Sequence, residues 1–176
     1  IIGRLLFTWE QFACNAADMI VLDTDTHRQL FETQFNLPTT KTASVFVGVE
    51  PEMFPVLTPH GEMEHTRHLH LLFYGQFIPL HGIPCIIEAA RLLQDEKVYF
   101  TIIGQGQDSN NIEEMMQEQP LERIRFISWV NYSELQKFIK QSDICLGIFG
   151  ESGKAARVIP NKVFQIIQSG KPLVTR

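Results

Sequence analysis

The stretch HLLFYGQFIPLHGIPCIIEAARLLQDEKVYFTII, residues 70–103, decides the fold. "HLLFY" is a short, continuous apolar run that ends at Gly75, which reads as a strand buried on both faces. "IPCIIEAARLLQ" repeats apolar residues at helical spacing, and "VYFTII" is a second apolar run that ends at Gly104. Strand, helix and strand in that order form a unit whose two strands lie parallel, because a helix must carry the chain back across the sheet.

Working outward, the same alternation continues to the last residue. A polar helix is expected through "NNIEEMMQ", a strand at "IRFIS", and a helix at "YSELQKFIKQS" with Ser133 as a candidate cap. The strand "DICLGIF" follows, then a loop, a helix that opens at Pro160 and stops at Gly170, and the strand "PLVT". Five strands separated by helices predict an α/β domain over 67–176, a doubly wound parallel sheet. Residues 1–48 hold similar units in smaller number: helix "WEQFACNAAD", strand "MIVLD", helix "THRQLFETQF" and strand "ASVFVG". Two strands and two helices cannot cover both faces of a parallel sheet, so they read as the remnant of a preceding domain. Residues 49–66 carry three prolines without periodicity and read as a linker. The strand at the end is followed by nothing, which predicts a domain truncated at its C-terminus.

Composition narrows the function classes. The chain has 176 residues, 44% of them hydrophobic and 20% charged, with a net charge of −5. That profile is globular, and its charge argues against a nucleic-acid partner. No apolar run is long enough to cross a membrane, and there is no signal-peptide pattern. Cys14, Cys85 and Cys145 are dispersed in apolar surroundings and read as reduced core residues of a cytoplasmic protein. His60, His65, His68 and His70 straddle the linker and a strand start without carboxylates at metal spacing, so no metal is assigned to them.

In such sheets ligands collect beyond the carboxyl ends of the strands, where helix N-termini converge. Five places qualify: 74–82, 104–107, 128–130, 149–162 and the chain end. Gly75, Gly104 and Gly106 leave room for close backbone approach, and Trp129 and Val130 could meet a flat base. Lys154, Arg157 and Lys162 cluster by a helix start, which suits a diphosphate. Each has a plainer reading: a strand-to-helix turn for "GQGQ", solvated charges for Lys154 and Arg157, core packing for Trp129. A nicotinamide site is weakly supported, since "GQGQDS" lacks the third glycine of the usual fingerprint. Asn161, Lys162 and Gln165 are expected to share one ligand-facing side of a helix near the surface, with Val163, Phe164, Ile166 and Ile167 packed on the sheet.

Taken in order, "LLFYGQFIPLHGIPCIIEAARLL", "FTIIGQGQ", "RIRFISWVNYSELQKFIKQSDICLGIF" and "VIPNKVFQIIQSGKPLV" resemble the C-terminal domain of the retaining glycosyltransferases of family 4, which have the GT-B fold. "AADMIVLDTDTH" and "VFVGVEPEMF" resemble the end of that family's N-terminal domain. The resemblance implies a Rossmann-like half of a GT-B fold that binds a nucleotide-diphosphate sugar, UDP- or GDP-linked, without a metal or other cofactor. It implies a sugar or lipid-linked acceptor held by the missing N-terminal domain, a role in polysaccharide, lipopolysaccharide or glycoconjugate synthesis, and peripheral contact at the inner face of a membrane as an option. Hexosyl transfer with retention would then rest on Lys162, Arg157 and Gln165. Donor binding would rest on Gly75, Gln76, His81, Gly104, Gly106, Trp129, Val130, Glu151, Lys154 and Asn161. Four family charges differ: Gln76 stands for the usual arginine, His81 for a lysine, and Arg157 and Gln165 for two glutamates, the second of which holds the ribose. The alternative is a non-catalytic nucleotide-binding relative or a subunit of a glycosyltransferase assembly.

Overall fold

The computed structural model describes residues 2–57 and 68–176. It contains two compact units, Ile1–Val47 with Arg157–Ile159, and Gly48–Ala156 with Pro160–Arg176.

In the first unit, helix α1 (Ile2–Ala16) is followed by strand β1 (Ile20–Leu22), helix α2 (Asp25–Phe35) and strand β2 (Thr42–Ser44). β1 and β2 pair in parallel, from Ile20 opposite Thr42 to Leu22 opposite Ser44. β2 is shorter than "ASVFVG" suggests, and Val45, Phe46 and Val47 are exposed. Thr24 caps α2, its hydroxyl accepting from the His27 N–H at 3.1 Å, as side-chain oxygens do at helix starts. The core here is small: Cys14, Phe35 and Leu37, with Ile20 and Phe31 against them.

The second unit is built on five parallel strands: β3 (Leu69–Tyr74), β4 (Val98–Ile103), β5 (Ile124–Ile127), β6 (Ile144–Leu146) and β7 (Leu173–Val174). Their spatial order is β5-β4-β3-β6-β7, with β3, the first strand of the unit in sequence, central and later strands placed outward on both sides. Leu69–Tyr74 stands in register with Val98–Ile103, and Leu71–Phe73 with Ile144–Leu146. The four connecting helices are α3 (Ile83–Leu92), α4 (Ser109–Glu118), α5 (Tyr132–Gln141) and α6 (Asn161–Gln168).

The helices divide between the two faces, because alternate residues of each strand point opposite ways. Phe73, Phe100, Ile102 and Leu146 meet Ile83, Ile86, Ile87 and Ala90 of α3 and Ile112 of α4. Leu72, Tyr74, Ile103 and Cys145 meet Leu135 and Ile139 of α5 and Ile166 of α6 on the other face. α3 shows why it sits there: its buried positions fall at i, i+3, i+4 and i+7, the spacing of one helical stripe. The doubly wound sheet expected from the sequence is therefore present.

Several local expectations change. Segment 49–57 is not a bare connector, since Phe54 is 1% exposed and packs into the α5–α6 core; residues 58–66, with His60 and His65, lie outside the described residues. Asn131, not Ser133, occupies the cap position of α5. Pro160 is the cap residue of α6 rather than its first residue. Cys85 is exposed, because the inward stripe of α3 passes through its neighbours Ile83, Ile86 and Ile87. The inward stripe of α6 is Lys162, Ile166 and Ser169, which leaves Ile167 62% exposed. Gly170 does end the helix in a left-handed turn, φ 69°, with its N–H donating to the Ile167 carbonyl.

Candidate functional site

Three connections meet at the carboxyl end of β3. The turn after β3 runs through 75–82, the turn after β4 through 104–108, and the segment after β6 begins at Gly147. Backbone bonds tie them together: Phe77 N–H donates to the Gln105 carbonyl at 3.0 Å, Asp108 N–H to the Phe77 carbonyl at 3.0 Å, and Phe149 N–H to the His81 carbonyl at 3.1 Å. Gly75 and Gly104 are required where these turns touch. A Cβ on Gly104 would lie 1.9 Å from the Gly75 carbonyl oxygen, and both residues have φ near 150°, a region that side chains disfavour. The result is a rigid rim with little side-chain bulk.

A cleft of about 680 Å³ opens on this rim. Its lining includes Gly75, Gln76, Gly104, Gly106, Trp129 and Val130. The structure thus gathers six of the sequence-derived donor-site residues at one opening. Trp129 is 66% exposed, so the plainer reading of it as core is set aside. A large indole held in water next to a cleft is the uncommon arrangement, and it offers a flat face for stacking.

Lys162 is the largest departure from expectation. It is 6% exposed, not near the surface. As the first member of the inward stripe of α6, its stem crosses the core and its ammonium lies 3.7 Å from the centre of the Phe73 ring. Nζ donates to the Gly147 carbonyl at 3.2 Å. Burial pushes its pKa well below the ordinary lysine value. His81 arrives from the other side: a Cβ built on Gly75 would stand 3.1 Å from Lys162 Nζ and 3.1 Å from His81 Cε1. The imidazole Nδ1 bonds to the Gln76 carbonyl. A carbonyl only accepts, so Nδ1 carries the proton and Nε2 keeps a lone pair when the ring is neutral. Burial, then the charge of Lys162, lowers the His81 pKa, with the Gln76 carbonyl opposing.

Gln165 joins a different set of groups. Its Oε1 accepts from the Tyr74 hydroxyl at 3.1 Å, and its Nε2 donates to the Tyr132 hydroxyl at 3.2 Å. Tyr132 in turn donates to Glu50 Oε2 at 3.1 Å. A carboxamide suits this position because one tyrosine gives a proton and the other receives one. Glutamate there would leave the Tyr132 hydroxyl between two carboxylates. Asn161, Lys162 and Gln165 therefore do not form one common face: Asn161 is exposed, Lys162 points inward, and Gln165 is half-buried among the tyrosines.

Glu151 and Lys154 are exposed on the segment after β6. Arg157 groups by its contacts with the first unit, where its carbonyl accepts from the Thr24 hydroxyl at 2.5 Å. Tyr74, Tyr132, Glu50 and Gly147 were missed in the sequence. Only Tyr74 gave a signal there, as a polar tip at the end of an apolar strand. Among the described residues no group of His, Cys, Asp and Glu is placed to hold a metal, and no helix is long and apolar enough to cross a membrane.

Comparison with known proteins places this geometry. Residues 63–147 match the family model described as "Glycosyl transferases group 1". Over 100 residues the chain is 32% identical to the colanic acid biosynthesis glycosyl transferase WcaI of Escherichia coli (strain K12), an alignment covering 57% of this chain and 24% of that one. Among solved structures, sucrose-phosphate synthase from Thermosynechococcus elongatus superposes with a TM-score of 0.72 at 15% identity, covering 96% of this chain and 43% of that one. Anabaena HepE in complex with UDP-glucose gives 0.70 at 13% identity, covering 90% and 44%. The chain spans about a quarter of WcaI and less than half of either structure. The chain thus matches the glycosyl transferases group 1 model over residues 63–147 and shares the Rossmann-like fold of these GT-B structures.

Proposed function

We propose that the chain is part of a retaining hexosyltransferase whose second unit binds a nucleotide-diphosphate sugar, UDP- or GDP-linked. The convergence of Lys162 and His81 on Gly75, beside a cleft walled by Trp129, is the observation that carries this reading. The base lies at Trp129 and Val130, the diphosphate at Gly75, His81, Lys162 and the first turn of α6 with Asn161. Gln76, Gly104 and Gly106 line the passage between them, and Glu151 and Lys154 border the sugar. Transfer breaks the bond from the anomeric carbon to the diphosphate oxygen and forms one to an acceptor hydroxyl oxygen, whose proton leaves with the diphosphate. Lys162 offsets the charge that grows on that leaving group. HepE, with UDP-glucose bound, and WcaI, named for colanic acid synthesis, support a nucleotide-sugar donor and a polysaccharide or related acceptor.

The first unit is read as part of an acceptor-binding domain, with Arg157 contributed there. Its helix α1 supports this, since Leu6, Trp9 and Phe12 are each about two-thirds exposed and such a face is normally covered. A second reading, nucleotide binding without transfer, draws on Gln165, whose amide is engaged by two tyrosines.

Calorimetric titration of the chain with UDP, GDP and their hexose conjugates tests the proposal. Binding of one base class, lost on Lys162→Met with the fold intact, is the expected result. No binding of any of them, or binding indifferent to Lys162→Met, overturns it. Binding together with hydrolysis or transfer separates the enzyme from its non-catalytic alternative.

A further inference from the structure

The strands of the second unit have another end, and the polar groups gathered there take no part in the cleft described above. His70 is the second residue of β3 and Tyr99 the second of β4, and the register sets them side by side. Along β3, roughly 13 Å at strand spacing separates His70 from Tyr74 at the cleft. The His70 and Tyr99 rings stack at 5.7 Å with 18° between their planes, and the Arg123 guanidinium lies 6.0 Å from the Tyr99 ring centre. These flat groups cover one another's faces. What they offer a ligand is polar edges: a phenol hydroxyl, imidazole nitrogens and N–H groups.

A groove of about 410 Å³ opens beside this stack, between the sheet and the last turn of α5. Its walls include Thr101, Arg125 and Gln141, whose side chains make no hydrogen bond or ion pair among the described residues. Arg123 is fixed, its Nη1 donating to the Gln94 carbonyl at 2.8 Å and to the Glu96 carbonyl. That leaves its Nε and Nη2 to donate elsewhere. Two arginines therefore line one groove in a chain whose net charge is −5. Glu122 is the only carboxylate among the described lining residues. Asp143, just before β6, is engaged by the His70 backbone N–H at 2.9 Å. A compact anion would use the arginines and leave the rest idle. The Tyr99 and Thr101 hydroxyls and the Gln141 amide suit a ligand that donates and accepts at several points while carrying negative charge. A chain of sugars with carboxylate groups has that pattern.

We propose that this groove is a second binding site, for an acidic oligosaccharide, which holds a glycan away from the donor cleft. The anionic half of the assignment rests on the groove itself, and the sugar half on the glycosyl-transfer reading above. The test is calorimetric titration of the chain and of Arg125→Gln with a hyaluronan tetrasaccharide, which carries glucuronate, with neutral cellotetraose and with tetraglutamate. The parent should bind the hyaluronan fragment about tenfold more tightly than either of the others, the scale of a charged hydrogen bond, and added salt should weaken it. Arg125→Gln should bind it about tenfold more weakly. Nucleotide affinity and the unfolding midpoint should not change, since Arg125 is exposed and outside the donor cleft. No binding of the hyaluronan fragment, equal binding of cellotetraose, or indifference to Arg125→Gln overturns the site. Equal binding of tetraglutamate overturns the sugar in favour of an acidic peptide. Nucleotide binding that persists when the hyaluronan fragment fails confines the failure to this groove, whereas the reverse outcome keeps the groove and removes the donor reading.

Discussion

Lys162 and Trp129 belong to the same end of the same sheet and have exchanged their customary surroundings. The lysine is 6% exposed and the tryptophan 66%. An ammonium inside a protein costs several kcal/mol unless it is well compensated, and here it has one carbonyl and one ring face. An indole in water gives up apolar burial worth roughly 2–3 kcal/mol. Neither placement helps the unit to fold. Both make sense if the missing partner is a ligand that brings a negative charge to one and a flat apolar face to the other. The two inverted residues lie at the strand carboxyl ends, where the turns of this unit converge, which is why they bear on the site.

The sharpest way to break that comparison is to replace Lys162. Lys162→Ala should lower stability by about 2 kcal/mol, the scale of a buried long side chain removed from a core, as read by denaturant unfolding. Lys162→Met keeps the volume and removes the charge, and should leave stability equal or raise it by about 1 kcal/mol. A methionine protein less stable than its parent would show that the ammonium is not a burden. Trp129→Ala should behave in the opposite way. Stability should stay within about 0.5 kcal/mol, while nucleotide affinity drops by about 1–2 kcal/mol for a lost stacking platform.

Gln165→Glu sharpens the middle of the comparison. From the sequence alone it should preserve or raise affinity, since it restores a carboxylate of the resembled family. With the Tyr132 proton already donated to Glu50, a second carboxylate lacks its partner and should cost about 1 kcal/mol of stability. Unchanged stability would mean that the tyrosine chain rearranges freely.

The smallest effects are in proton linkage. Lys162 and His81 both have folded-state pKa values below their ordinary ones, so the unfolded chain binds more protons between the two values. Stability should therefore rise with pH through that window and fall as pH drops through the folded values. Lys162→Met should flatten the alkaline part of that rise. It should also let the His81 pKa move up, visible by proton NMR, because the Lys162 charge is one cause of its depression. Diphosphate binding should take up protons near neutral pH, detectable as a dependence of calorimetric heat on buffer ionisation. Release of protons would contradict the placement of the anion beside these two groups.

Much of the fold was legible in one dimension. The run "LLFY" is apolar at successive positions, which only a strand covered on both faces tolerates, and α3 spells its buried stripe at helical spacing. Gly75, Gly104 and Gly106 could be assigned to the carboxyl rim because the turns that carry them follow strand ends. Such patterns are local, so a sequence displays them. What the sequence could not display is what each helix face meets. Lys162 looked like a surface cation because it is charged and follows Asn161 at a helix start, yet it shares its stripe with Ile166, and the sheet lies on that side. Gln165 acquires its meaning from Tyr74, 91 residues away, and Tyr132 from Glu50, 82 residues away. Hydrogen bonds across such separations arise only when the crossovers bring strand ends together. The sequence by itself determined the layers and the rim on which a ligand can sit, because periodicity and glycine placement are properties of neighbouring residues. Which charges are buried there and which polar groups complete one another was decided by the tertiary structure, because solvation and pairing depend on what the folded chain places alongside.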